Sequence, residues 1–433
     1  MKMDDMILVS TDDHAIEPVD MFARHTPAGM KEAMPRVVTR NGIDLWVFED
    51  RAVPNLANNA VIGRVPEQMG MEPASYSQMR RSCYDVHARV DDMSANGVLA
   101  GLNFPSFPGT AGQMFLKAKD KALAARVIQA WNDWHIDEWC ASHPERFIPL
   151  AIVPLWDPAL AAAEVVRVKN KGCNSITMLP NPIAEGLPNW HGDFWDPLWA
   201  ACDENDVVVS MHIADASKSV PSGDSAIEAF FACIGVTLYS TAVDLVYSHV
   251  PRDFRNIRIS LAEGGAGWVP NALERMDLVH KRHRGWSGWE FGGRLPSEVF
   301  RQHFLACMIA EDVTAVRNRH AIGLNTLTWE TDFPHSEANW PNSPEILWES
   351  MQDVPAEEVD LMTHGNALRA YGFDPFRHRP RARCTVGALR AEAAHVDTRL
   401  VRMEGIPPRQ DAGPVVLRDA LAQMMKAYQL HID

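Results

Sequence analysis

Residues 196–213 read DPLWAACDENDVVVSMHI. The first half, Asp196–Glu204, spaces its apolar residues as a helix does. The second, Val207–Ile213, is a short β-branched run entered from Asn-Asp. The same alternation recurs on both sides. Strands are predicted at Ile7–Ser10, Val98–Asn103, Phe147–Val153, Cys173–Leu179, Val207–Ile213, Ile257–Ala262, His303–Ile309 and Leu327–Glu330, each bounded by Gly, Pro, Asn or Asp. Helical patterns lie between them. Lys117–Ser142 carries Leu123, Val127, Ile128, Trp131, Trp134 and Trp139 along one side, and Ala159–Lys171 has the same period. Apolar strands of this kind belong to a buried parallel sheet, and eight of them alternating with helices predict an α/β fold, the (β/α)8 TIM barrel.

Two regions stand outside the alternation. Residues 36–90 are inserted between the first and second strands, with Pro, Gly and Asn scattered through VPNLANNAVIGRVPEQMG. An insertion after a barrel strand overhangs the C-terminal face, so this one is read as a lid. The barrel is assigned to 1–375. Residues 376–433 form a tail: DPFRHRPRAR as a linker, then helices at Ala388–Arg402 and Pro414–Leu430. The last helix aligns Val416, Leu417, Leu421, Met424, Met425 and Tyr428 in one stripe, which needs a surface to cover it. A homodimer with the tail at its interface is the expectation.

Composition narrows the partners. The 433 residues are 46% apolar and 22% charged, ordinary for a globular chain, and the net charge of −15 opposes a polyanion. Nucleic acid is therefore not expected. Seven scattered cysteines with no C-x-x-C pair suit a reducing compartment. The acidic start MKMDDMILVSTDDH lacks the apolar core of a signal peptide, and no run approaches 18 consecutive apolar residues. A cytoplasmic enzyme of a small-molecule substrate, without a membrane partner, is expected.

The chemistry should sit where the strands end. The first strand runs into Asp12-Asp13-His14, with Asp12 and His14 on one face of an extended segment. The fifth delivers His212, and the eighth, LTWETDFPH, delivers Asp332 with His335 behind it. A lone D-x-H is a weak signal among 17 histidines. Together at one rim, these residues are a mixed nitrogen and oxygen set that suits one divalent ion, zinc or manganese, with a coordination position left open.

Several stretches resemble the amidohydrolase-2 family, the branch grouped with aminocarboxymuconate-semialdehyde decarboxylase. They are STDDHAIEP, FIPLAIVP, DFWDPLWAACDENDVVVSMHI, FRNIRISLAEGGAGWVPNALERMD, TDFPHSEANWP and GNALRAYGF, covering roughly residues 5 to 373. The resemblance implies that Asp12, His14 and His212 are metal ligands and that Asp332 is both ligand and proton-transfer group. It also implies either non-oxidative decarboxylation of an aromatic or conjugated acid, or hydrolysis of an ester, lactone or amide by metal-activated water. One position departs. The decarboxylases carry a catalytic histidine after the sixth strand, in an A-H-G-G context, whereas this chain reads Ala262-Glu263-Gly264-Gly265. Glu263 is therefore a candidate catalytic carboxylate, and His249 a candidate substitute imidazole. For substrate contacts the chain offers Phe104, Trp268, Trp329 and His335, with Phe107, Phe333 and Trp340 nearby. Arg64, Arg51 and Arg294 are the candidates for a substrate carboxylate.

Overall fold

The computed structural model describes residues 1–213, 222–309, 312–404, 406 and 413–428, and not the side chains of Pro73 or of 423–428. Eight parallel strands form one sheet: Val9–Ala15, Ala100–Pro105, Phe147–Ile148, Ser175–Met178, Val208–His212, Arg258–Ala262, Phe304–Met308 and Leu327–Trp329. Each pairs with its neighbours, the first with both the second and the eighth. The ring is joined by Ala151, which bridges Ile176 of the fourth strand. Helices pack around it, and the fold is an α/β TIM barrel.

The third strand is shorter than predicted because Pro149 and Pro154 remove ladder donors, leaving Phe147–Ile148 and the Ala151 bridge. The first strand extends past its predicted end. Its register shifts between Ser10 and Asp13, so that Asp12 and His14 lie within the strand itself. The helix expected over Lys117–Ser142 begins at Lys121, where Asp120 caps Leu123, and ends in a wide π-turn over His135–Cys140. His303 closes a helix, and its strand starts one residue later.

The insertion is a small antiparallel sheet of Arg36–Arg40, Ile43–Phe48, Arg51–Leu56 and Pro73–Ala74. Asn41 and Gly42, both at positive φ, make its first turn. The inserted region ends at Asp85, not at residue 90, because the Asp85 carboxylate caps the barrel helix Val86–Ala95. The lid meets the C-terminal face: Ser336 donates to the Asn58 carbonyl and Val61 to that of Pro334.

The tail folds back on its own chain. The predicted linker forms two 3-10 turns, and the next helix is confined to Val386–Glu392, with Val386 and Leu389 buried. Val401 then pairs alongside Arg64. The last helix, Leu417–Tyr428, lies against the lid strand Arg51–Leu56 and the helix Ile227–Ile234. Leu417 and Ala420 are buried there, while Leu421 is exposed. Side chains of Met424, Met425 and Tyr428, and the residue Leu430, fall outside the described part. The run Ile227–Val246 is long and apolar enough by composition to cross a bilayer. It is broken at Gly235, and Leu238, Ala242 and Leu245 of its second half are buried against the barrel.

Candidate metal centre

Four elements converge at the C-terminal rim. The first strand supplies Asp12 and His14, the fifth His212, the turn after the sixth Glu263, and the turn after the eighth Asp332 and His335. Donor atoms of Asp12, His14, His212 and Glu263 lie within 4.8 Å of one another, as do those of His14, Glu263, Asp332 and His335. His14 Nε2 stands 3.0 Å from His212 Nε2, and 3.5 Å from both Asp12 Oδ1 and Asp332 Oδ1. Glu263 Oε2 is 2.7 Å from His212 Nε2. His335 Nδ1 is 2.9 Å from Asp332 Oδ1, and its ring stacks on His14 at 3.7 Å.

Several details fit a cation. Both carboxylate oxygens of Asp12 and of Asp332 are buried with no hydrogen-bond donor but His335 Nδ1 beside Asp332 Oδ1. Such groups are costly to bury unless something positive meets them. His212 Nδ1 bonds the Ile213 carbonyl. A carbonyl only accepts, so Nδ1 carries a hydrogen and Nε2 is the ring nitrogen that faces the cluster. Glu263 and Asp332 both adopt left-handed backbone, at φ 62° and 54°, which bends two strand ends to aim their carboxylates inward.

The electrostatics describe a cluster that needs positive charge. Burial, then the neighbouring carboxylates Glu330, Glu263 and Asp13, holds Asp12 well above the usual carboxylate range. Asp332 is raised by burial and by Glu263, Asp12 and Glu330. Burial and the adjoining imidazoles or Arg89 push His14 and His335 down, so both rings are neutral.

A supporting layer escaped the sequence reading. Asp13 accepts from Ser10 Oγ, Thr331 Oγ1 and the Phe333 amide, which ties the first strand to the eighth, and burial lifts it to about 6. Glu330 Oε2 accepts the Glu263 amide at 3.0 Å, and burial raises it to about 8. Its signal was available: in WETD, Glu330 and Asp332 share one face of a strand. Buried Arg89 donates to the His14 carbonyl at 2.6 Å and the Ser82 carbonyl at 2.8 Å, and sits over the Phe333 ring. Glu17 is a clamp beneath the second-strand loop, accepting from the Ser106 and Phe107 amides and Trp131 Nε1.

The remaining candidates separate. Phe104 packs on the rings of both His14 and His212, at 5.8 and 5.1 Å. Trp268 lies on Tyr239 and donates to the Gly264 carbonyl. Trp329 does not face the site. Strand alternation puts it opposite Thr328 and Glu330, fully buried in the core. His249 is likewise elsewhere, held by Asp196 at 2.7 Å. Arg64 is buried, with its guanidinium donating to the Gln78 and Gln68 carbonyls. It braces the lid from a fully buried position.

A family model described as amidohydrolase matches residues 43–373. The chain belongs to the amidohydrolase family. The match starts after the first strand, so Asp12 and His14 join this enzyme's rim through the geometry above. Solved structures share the fold. An amidohydrolase from Mycobacterium avium subsp. paratuberculosis K-10 superposes with TM-score 0.63 at 20% identity, over 84% of this chain and 99% of that one. A 5-carboxyvanillate decarboxylase from Sphingomonas paucimobilis gives 0.58 at 21%, over 85% and 99%. A second such decarboxylase, from Novosphingobium aromaticivorans DSM 12444 and holding manganese, gives 0.57 at 17%, over 84% and 97%.

Proposed function

We propose that this amidohydrolase is a metal-dependent carboxy-lyase that removes carbon dioxide from an aromatic or conjugated carboxylic acid without oxidation. The observation that carries this reading is the buried rim cluster with its undonated Asp12 oxygens. Decarboxylases among the structures of the same fold, one of them with manganese, support it. Asp12, His14, His212 and Asp332 would hold one divalent ion, manganese or zinc, with Glu263 within reach. When bound, such an ion acts as a Lewis acid toward substrate oxygens.

The chain's own groups divide the remaining work. Asp332, beside His335 Nδ1, is the carboxyl placed to carry a proton to the substrate. That proton passes to the ring carbon bearing the carboxylate. The carbon–carbon bond then breaks, its electron pair returns to the ring, and carbon dioxide leaves. Phe104 gives a flat ring an apolar wall. Burial of Asp12, His14 and Asp332 keeps bulk water from the proton.

One observation favours a second reading, hydrolysis of an ester, lactone or amide. At the sixth strand end a carboxylate, Glu263, lies 2.7 Å from His212 Nε2, and a carboxylate there can take a proton from water. The deciding experiment is a screen of benzoates and lactones with metal-loaded enzyme in ¹⁸O water, following carbon dioxide and ring opening separately. Carbon dioxide without ¹⁸O in the organic product supports the carboxy-lyase; ¹⁸O incorporation supports the hydrolase. A cytoplasmic homodimer completes the proposal. The free cysteines are consistent with a reducing compartment, and the incompletely covered apolar helix Ile227–Ile234 with a subunit contact.

A further inference from the structure

The lid and the loop after the second barrel strand enclose a cleft of about 440 Å³. One wall is the lid strand Arg51–Leu56, which is paired to Ile43–Phe48 and braced behind by the tail helix. The other is the segment Ser106–Lys117, whose start is pinned by the Glu17 carboxylate through the Ser106 and Phe107 amides. Both walls are thus fixed before any ligand arrives. Two lining residues, Ile16 and Ser106, set the cleft next to the metal centre. Ile16 lies two residues past His14, and Ser106 two past Phe104, whose ring packs on both imidazoles.

The lining is rich in unused donors. Arg51 and Lys117 make no hydrogen bond or ion pair with any described residue, although Asp50 beside Arg51 is taken by Lys119 at 2.9 Å. The Ser106 hydroxyl is buried without a partner. Gln113 spends its oxygen on the Ala111 amide, which leaves its NH₂ group to donate. The cleft's other carboxylate is Glu185. Two free cations, one amide and one hydroxyl therefore outweigh one free carboxylate. The complement of such a lining is an oxygen-rich anion. The other two arginines offered by the sequence are occupied: Arg64 is buried on carbonyls, and Arg294 donates to Gln302 and Phe291 in a separate cleft.

We infer that this cleft is a second subsite of the active centre, which binds the distal anionic group of an elongated acid through Arg51 and Lys117. The substrate would then be a dianion, such as an extended dicarboxylate, with one carboxylate at the metal rim and the other under the lid. This rests on the rim cluster being the reacting end, so the test reads the two separately. Biphenyl-4-carboxylate and biphenyl-4,4′-dicarboxylate are titrated calorimetrically into the manganese-loaded full chain. The dicarboxylate is expected to bind about tenfold tighter, the gain of one charge-assisted contact. Arg51→Gln and Lys117→Gln should each remove most of that preference and leave the monocarboxylate affinity unchanged. Both changes are at positions not fully buried, so they spare the fold. Equal affinities in the wild type, no binding of the dicarboxylate, or a preference untouched by both substitutions would overturn the inference. The titrations are then repeated after chelation. Loss of binding by both acids supports the metal reading whatever the lid variants show. Affinities of both acids that are unchanged without metal would remove the metal reading and leave the subsite standing.

Discussion

Arg89→Met tests how the site is fastened to the barrel. Arg89 is fully buried, and its two outward bonds end on backbone carbonyls, one of them that of the candidate ligand His14. Its charge also acts on Asp13, the carboxylate that joins the first and eighth strands. Methionine keeps the length of the side chain and removes the donors and the charge. Two buried carbonyls then lose charged donors, at about 1–3 kcal/mol each. Asp13 loses its cation, but it need not stay ionised. With its ordinary folded value near 6, protonation at pH 7 costs about 1.4 kcal/mol, which limits that loss. The expected destabilisation at pH 7 is about 4 kcal/mol, inside the range of about 3–5 kcal/mol for a broken buried pair.

The pH dependence supplies the sharper test. Without Arg89 the folded-state value of Asp13 rises further above its unfolded value of 3.8. A carboxyl raised in this way binds its proton more tightly in the folded protein, so the variant loses stability as pH rises through that folded value. The gap between variant and wild type should be smallest at pH 5, where only the loss at the two carbonyls remains, and should widen as pH rises above 6. Guanidinium unfolding of both metal-free proteins at pH 5, 7 and 8 measures it. A difference below 1 kcal/mol at pH 7, or one that does not change from pH 5 to 8, would refute the coupling of Arg89 to Asp13.

Three further outcomes follow from the same geometry. Asp332→Asn should fold normally and lose turnover, since an amide can neither carry the proton nor supply a full negative charge; activity above a tenth of wild type would dismiss its assigned role. His212→Ala should lose bound metal by inductively coupled plasma mass spectrometry, and full occupancy would take His212 out of the ligand set. Light scattering should give twice the 48.3 kDa chain mass for the full protein, and a monomeric mass would count against the homodimer. A cut after Asp374 would strip buried Cys384, Val386 and Leu389 from the core, so the tail's part in assembly is better tested by ending the chain at Glu404.

The strands were legible because each is a short apolar run in a sheet covered on both faces, and periodicity reports burial directly. The candidate ligands come together in the structure because a barrel presents its strand ends at one rim. Other features were legible but unread. RVVTRNGIDLWVF carries an Asn-Gly turn between two alternating runs, a strong hairpin signal, and the lid sheet begins there with Asn41 and Gly42 at positive φ. Trp329 was misplaced by counting it as a strand-end residue, when alternation from Asp332 assigns it to the opposite face. Arg89 and the docking of the tail left no local trace. Each depends on contacts between segments dozens to hundreds of residues apart, and a helical stripe states that it needs a cover without naming which surface provides it.

The turn after the sixth strand shows why such a site is expensive to keep, and offers its own test. Glu263 is a non-glycine residue at φ 62°, followed by Gly264 and then Gly265, also at positive φ. A side chain in that conformation is strained by about 1 kcal/mol or more. Its carboxylate also raises Asp12, Glu330 and Asp332, so in the metal-free protein it adds repulsion to strain. Neither helps the barrel fold; both become useful when a cation arrives, because the bent backbone aims Oε2 at the cluster and the repulsion turns into attraction. Glu263→Gly should therefore raise the stability of the metal-free protein by about 1–2 kcal/mol. The same change should weaken metal binding, so that added manganese raises the melting temperature less than in the wild type. Differential scanning calorimetry with and without manganese reads both effects on one protein. A variant that is less stable without metal would show that Glu263 belongs to the structure of the turn, and a variant stabilised by manganese as strongly as the wild type would show that its carboxylate lies outside the metal's reach.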